Sequence, residues 1–487
     1  MDRGAGIDRP ATNSSPVTLV AKGGTPLDPN LKDRMVAALK ASRADFTDIR
    51  LEFIDTTAFV YQGGKLQESV TGHDVGGIVR ALVRGSWGLS SFNRLDDLPA
   101  RVAEAYDCAI AAPPGAVRLA AVDPVVAEIR APIVRDFRQV GLAQKQALAK
   151  GYSDLILSRP AIRDARVTLG DRYSDVYYAS SEGAFVFQER PYAALMMSAT
   201  ACDPNDANNV QTASDSLACG LDYGLAEGRD DIALEVSSRA KALLAAETIR
   251  GGLYTVVLSP RMAGLFVHEA FGHLSESDFL ADNPKAQEMM TLGRRFGGEF
   301  LNISDGGRSA SGLRGSLLYD DEGTPTGETD LVREGVLVGR LHSRETAGKM
   351  GEKPTGNARA TFYRYPPIVR MTNTRIKPGP HKLDDLIKDI KLGIYAKFGG
   401  GGQTFLENFS FASGGSYMIR DGQVAELVKD VNFGGNLFKT MANIDGIADD
   451  FTWLPGSSSC GKGQEMFIPV GMGAPHVRVR EVLIGGR

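Results

Sequence analysis

Residues 251–278 read GGLYTVVLSPRMAGLFVHEAFGHLSESD, and the reading of this stretch decides the fold. Residues 254–258 form a short apolar run with the β-branched content of a strand. Ser259-Pro260 follows at once. Serine is a favoured helix N-cap, and proline suits the first helical position, where its missing N–H is no loss. A helix is therefore expected from Pro260 through Met262, Leu265, Phe266 and Val267 into His268-Glu269-Ala270-Phe271-Gly272-His273. It should end near Leu274, before Ser275-Glu276-Ser277-Asp278.

The histidines of this helix are five residues apart, whereas the familiar zinc helix spaces them by four. Five steps leave two side chains about 140° apart around a regular helix, against about 40° for four. A regular helix cannot aim both rings at one ion. One π-type insertion, or unwinding at Gly272, would bring them together, and such bulges favour functional sites. From spacing alone two readings stand: a distorted metal-binding helix with Glu269 beside its ligands, or two ordinary histidines near a helix end. The chain holds six histidines in all.

A catalytic zinc takes three protein ligands and keeps one position for water. Cys460 is the candidate third ligand. It lies in Gly456-Ser457-Ser458-Ser459-Cys460-Gly461-Lys462-Gly463, which reads as a flexible polar loop, and the Lys462 charge would favour the thiolate. The plain alternative is a free loop thiol. Cys108, Cys202 and Cys219 read as small core or surface residues. Glu276 and Asp278 are candidates to accept the second N–H of each histidine, or else a solvated acidic helix end.

Working outward, glycine is frequent from Gly251 onward and turns are closely spaced. Gly306-Gly307, Gly312, Gly335, Gly399 to Gly402, Gly414-Gly415 and Gly434-Gly435 mark a twisted, β-rich domain over 251–487. The glycines at 399–402 read as a flexible loop and carry no phosphate-loop signature. Residues 28–250 read as an α/β region with a candidate subdivision near 112–132. Helical spacing over 31–44 precedes a strand over 48–54, a Gly63-Gly64 turn and an apolar segment over 76–83. A helix over 98–111 has Pro99 in its first turn. Beyond Ala112-Pro113-Pro114-Gly115, a helix is expected over 136–149, strands over 165–169, 175–179 and 184–188, and a helix over 231–249. Residues 1–27, polar and rich in Gly, Ser and Pro, read as a disordered tail. The fold class is α+β: an amino-terminal α/β region, then a β-rich domain carrying one distorted metal-binding helix.

Composition excludes several classes. The 487 residues are 43% hydrophobic and 23% charged, as in ordinary globular chains, and exceed one core. With 55 basic and 59 acidic side chains the formal charge is -4, so no basic excess points to nucleic acid. Arg333, Arg340 and Arg344 read as solvated surface. No apolar run is long enough to cross a bilayer. Four cysteines do not make a disulfide scaffold at this length, which favours a reducing, cytoplasmic setting.

These residues resemble a known family. His-Glu-x-x-x-His at 268–273, followed by Glu276 and Asp278, is similar to the signature of the TldD/PmbA peptidases. The likeness continues through Asp320-Asp321-Glu322-Gly323-Thr324, Thr355-Gly356-Asn357, Arg370-Met371-Thr372-Asn373-Thr374, Gly393-Ile394-Tyr395-Ala396 and Cys460-Gly461-Lys462. In the amino-terminal half it includes Asp48-Ile49-Arg50 and Arg84-Gly85-Ser86-Trp87-Gly88. The resemblance implies a metallopeptidase with one Zn2+ per active subunit, held by His268, His273 and Cys460, with Glu269 as base. It also implies small or unfolded peptides as substrates, and a dimer, either of like chains or with a motif-lacking family member. The expected chemistry is water-mediated peptide hydrolysis, with the peptide taken up in extended form along a sheet edge. Two other classes stay open: a hydrolase using Cys460 as nucleophile with a histidine base, and a scaffold or partner subunit.

Overall fold

The computed structural model describes residues 30–308, 312–405, 407–456 and 458–485. The expected tail over residues 1–27 lies outside them. The fold is mixed α+β.

The amino-terminal half is one long, mainly antiparallel sheet with four helices on one face. Strands β1 (Phe46–Gln62), β2 (Lys65–Val83), β3 (Ser86–Phe92), β4 (Val126–Ile129), β5 (Ile162–Ser180), β6 (Phe185–Asp203) and β7 (Asp206–Ala218) build it in the order β3-β2-β1-β5-β6. β6 then pairs with β4 along one end and with β7 along the other. The stretches on either side of residues 112–132 thus contribute strands to the same sheet. Side chains alternate across it, as a two-residue period requires. Ile49, Leu51, Tyr177 and Phe187 pack under α1 (Leu31–Lys40) and α2 (Leu98–Ala111). Phe59, Val167, Leu169 and Leu195 pack under α3 (Leu142–Leu157) and α4 (Asp230–Ala245).

The alternate positions carry buried charge, and these face the second half of the chain. Arg50 Nε donates to Asp321 Oδ1 at 3.0 Å, and Arg190 Nη1 lies 2.9 Å from the same oxygen. Arg80 bridges Asp48 and Glu322. The resembling segments Asp48-Ile49-Arg50 and Asp320-Asp321-Glu322 therefore meet in a paired network that joins the two halves, as buried charges require.

Several elements differ from expectation, each for a visible reason. The two short strands over 165–169 and 175–179 are one strand, β5, because β1 and β6 pair with it on both sides through Gly170 to Ser174. Tertiary pairing overrides weak local propensity there. The helix expected over 136–149 splits. The Asp136 side chain accepts from Arg138 N at 2.9 Å in a short 3-10 turn, Phe137–Gln139, and α3 begins only after Gly141. α4 ends at Ala245, since residues 247–248 pair with a strand of the second half. Arg333 is exposed, but Arg340 and Arg344 are buried, holding Glu352 and Met290 O, and Glu182, respectively. Residues 399–405 form a strand rather than a loop.

Residues 247–485 form two principal sheets. The larger runs 399–405, 408–413, 432–436, 477–485, 252–258, 392–396, 416–420, 423–429 and 247–248 in order, and 444–447 pairs with 477–485. The smaller runs 336–337, 328–333, 303–306, 373–376, 471–474 and 452–453. The helix at Pro260 lies between them. Phe266 packs edge-on against Phe409 and Phe411 of the larger sheet. On its other side Gly264 fits closely, since a Cβ there would stand 3.2 Å from Leu454 Cδ1 and 3.4 Å from Met472 Cβ. Both sheets and the helix share one buried apolar cluster, which makes the helix an interior element and fixes its register.

Candidate metal centre

The helix starts as its sequence dictates. Ser259 Oγ accepts from Met262 N at 3.3 Å with Pro260 in the first turn, and α-helix runs over Pro260–Phe266. Val267–Gly272 is then π-helical, and His273–Ser275 is a 3-10 turn. The wider π turn brings the two histidines onto one side, with ring centroids 5.4 Å apart. Gly272 is needed inside this turn, since a Cβ there would stand 2.0 Å from Met371 Sδ.

Cys460 reaches the histidines from a strand rather than a flexible loop. Ser459–Lys462 pairs with Glu465–Pro469, and Cys460 is buried opposite Ile468. Its Sγ lies 3.1 Å from His273 Nε2. One ligand atom from each of His268, His273 and Cys460 lies within 4.8 Å of the others. His268 is fully buried, yet neither ring nitrogen has a hydrogen-bond partner. Buried imidazoles without partners are costly, and a cation between these three groups would engage one of the two His268 nitrogens. Two imidazoles and a thiolate are also the donor chemistry that suits zinc. The residues fit the group.

The electrostatics agree in direction. Burial would raise the Cys460 thiol, but His268 and His273 outweigh it and bring it down to about 5. Burial disfavours charge on His273, yet Glu276 and Cys460 raise it to about 10. Lys462 does not serve the thiol as expected. Its Nζ lies 2.5 Å from Asp278 Oδ1 and 3.0 Å from Glu276 Oε2.

The two acidic candidates divide. Glu276 is buried and takes His273 Nδ1 at 3.1 Å, which orients the ring so that Nε2 faces Cys460. It also accepts from Met371 N at 3.2 Å, and Arg370 Nε lies 3.7 Å away. Asp278 accepts from Val369 N at 3.2 Å and holds Lys462, with no histidine contact. Glu269 Oε2 lies 3.8 Å from His273 Nε2, and burial raises its carboxyl above the ordinary range despite the two histidines. Glu269, His273 and Cys460 open on a cleft of about 500 Å3, walled on one side by Gly402, Gln403 and Thr404. Sequence reasoning assigned no role to Arg370. The signal was a lone arginine inside an apolar segment, Ile368-Val369-Arg370-Met371, and the residue is fully buried.

Such a donor set on a distorted interior helix could hold a metal ion, and comparison with known proteins narrows the reading. Residues 47–112, 135–244 and 251–486 match, in order, domain 1, the central domain and the C-terminal domain of the PmbA/TldA metallopeptidases. A metalloprotease of Synechocystis sp. is 45% identical, with 91% of this chain and 96% of the relative aligned. A zinc metalloprotease TldD homolog of Saccharolobus solfataricus is 34% identical over 50% of this chain and 54% of its own. In fold, the chain is similar to TldE from Thermococcus kodakarensis, with a TM-score of 0.75 at 16% identity over 94% of this chain and 100% of that one. A putative modulator of a DNA gyrase from Thermotoga maritima gives 0.74 at 20% identity, covering 94% and 99%. The chain belongs to the PmbA/TldD family. Among the described residues, no helix is long and apolar enough to cross a membrane.

Proposed function

We propose that this chain is a zinc-dependent peptidase whose ion is held, one per chain, by His268, His273 and Cys460. The observation that carries the reading is the convergence of these three groups around a fully buried His268 with no partner of its own. Bound there, zinc would supply a Lewis acid that polarises a scissile carbonyl and acidifies water. Glu269 takes the proton of the attacking water on its carboxylate and delivers it to the departing amine. Burial raises its carboxyl above the ordinary range, which makes it a stronger base than an exposed glutamate. Glu276 holds His273 by Nδ1 and keeps Nε2 turned towards the ion. Asp278 acts one step further out, by fixing Lys462 against Glu276.

The substrate is a small or unfolded peptide in extended form. Strand 399–405 ends the larger sheet, pairs only with 408–413 among the described residues, and contributes Gly402, Gln403 and Thr404 to the cleft. A peptide laid along it would gain backbone hydrogen bonds that tolerate many sequences. The working form is a cytoplasmic dimer, of like chains or with a motif-lacking family member.

The test is metal content of the purified full chain, beside His268→Ala and Cys460→Ala. About one zinc per chain, lost in both variants, is expected. Zinc retained without Cys460 would sink the three-ligand site. The second reading, a thiol hydrolase, draws on the short Cys460–His273 contact, and it predicts peptidase activity that survives removal of metal by a chelator.

A further inference from the structure

Where the middle of β6 meets the loop after strand 303–306, the molecule has a second, half-open cavity of about 320 Å3. It shares no lining residue with the metal cleft. Pro132, Pro191, Leu221, Leu313 and Leu317 give it apolar walls. Four arginines, Arg130, Arg190, Arg308 and Arg314, line it against one carboxylate, Glu189. That carboxylate is already engaged, since it accepts from Arg130 Nη1 at 2.8 Å and from Ala131 N at 2.9 Å.

The two inner arginines are short of acceptors. Arg190 reaches Asp321 with Nη1, but its Nε and Nη2 are buried without hydrogen-bond partners. Asp321 also serves Arg50 Nε and Ala360 N. Among the described residues Arg314 has neither an ion pair nor a hydrogen bond, and its Nε is buried. Burial pushes its guanidinium below the ordinary value, and only Tyr192 and Cys219 stand near enough to oppose this. Both residues are partly buried, and guanidinium nitrogens shut away from water in folded proteins are normally paired. A cavity with this excess of positive charge is complete only when an anion enters it.

We propose that this cavity binds a carboxylate carried on a short apolar body, with Arg314 and Arg190 taking the carboxylate and the proline and leucine walls taking the body. A planar carboxylate matches the guanidinium fork, and the apolar walls have nothing to offer a bare phosphate. The volume is at the lower end for small-ligand sites and admits a body of about one amino-acid residue. The C-terminal residue of a peptide and a free branched-chain acid both have this chemistry. The assignment stands apart from the metal reading, because no residue is common to the two sites.

Calorimetric titration of the full chain tests it, with N-acetyl-leucine, 4-methylpentanoate, N-acetyl-leucinamide and inorganic phosphate as probes. Wild type, Arg314→Met and His268→Ala are compared. Both carboxylates should bind wild type and His268→Ala alike, and Arg314→Met at least about tenfold more weakly. The amide and phosphate should not bind. Tighter binding of N-acetyl-leucine would identify a peptide end, and tighter binding of 4-methylpentanoate a free acid. Leu221→Trp, which fills the cavity and keeps Arg314, should show the same loss and stands in if Arg314→Met fails to fold. The proposal is overturned if no carboxylate binds wild type, if the amide or phosphate binds as well, or if the cavity variants bind normally. Loss of binding in His268→Ala would place the carboxylate at the metal cleft and overturn it equally.

Discussion

Lys462 Nζ lies 3.0 Å from Glu276 Oε2, so the strand that brings Cys460 is ionically tied to the turn that follows the two histidines. Burial alone would raise the Glu276 carboxyl, but Lys462, His273 and Arg370 hold it down to about 2. The tie fixes the distance between the two segments that carry the proposed ligands as well as the charge behind His273. Lys462→Met should therefore weaken zinc binding by about 10- to 100-fold, the usual cost of losing support behind a ligand. Competition with a chelator of known affinity measures this. An unchanged dissociation constant would remove Lys462 from the site.

Glu269 stands in the cleft but donates nothing to the three-ligand set. Glu269→Gln keeps the shape of the side chain and removes its ability to hold a proton. Zinc content should stay near one per chain, while turnover of an unfolded peptide falls by about 10²- to 10⁴-fold, the range for a lost general base. Metal analysis and single-turnover cleavage on the same preparation separate the two effects. Full turnover in this variant would refute the assignment.

The π turn depends on a glycine with no room around it. In Gly272→Ala the new methyl would meet Met371 Sδ at 2.0 Å, and Met371 N also donates to Glu276. Overpacking of this kind costs about 1–3 kcal/mol, and here the displaced residue supports the site. The variant should melt lower and bind zinc less tightly. Gly272→Ala with Met371→Ala should recover part of the zinc affinity, because the second change vacates the volume the first one needs. A double variant no better than Gly272→Ala alone would mean that the clash is not the cause.

Much of this was legible in residues 251–278, because the evidence was local. A Ser-Pro start is a backbone signal, and five-residue histidine spacing, if both rings are to meet one ion, demands a helix irregularity such as the π turn at Val267–Gly272. Cys460 was legible as a candidate but not as a strand residue, since its pairing with 465–469 follows an unpromising run of glycine and serine. The length of β5 was hidden for a related reason. Gly170 and Ser174 look like breaks until strands on both sides saturate their backbone groups. The apolar run around Arg370 hinted at its burial, but the partners of Arg344 and Arg370 were hidden because they arrive from segments far away in sequence: Glu182 for one and Glu276 with Glu465 for the other. Long-range charge pairing has no periodicity to read.

A separate titration lies in the amino-terminal sheet. Asp175 on β5 is buried, its Oδ1 has no hydrogen-bond partner, and it faces Glu189, Arg138, Arg130 and Asp55. Burial first, and then Glu189, raise its carboxyl to about 6, against the partial relief of the two arginines. An unfolded aspartate titrates near about 4, so between these values the folded chain keeps a proton that the unfolded chain has released. Stability from this group is therefore greatest below about pH 4 and falls as the pH rises towards 6, by up to about 3 kcal/mol for a two-unit rise. Asp175→Asn removes the ionisation and leaves the shape. Its melting temperature relative to wild type should climb between pH 4 and pH 7, by several degrees at most for a chain of this size. Melting curves for both proteins across that range decide it. A difference independent of pH would mean that Asp175 titrates alike in the folded and unfolded chain, so that Arg138 and Arg130 fully offset its burial.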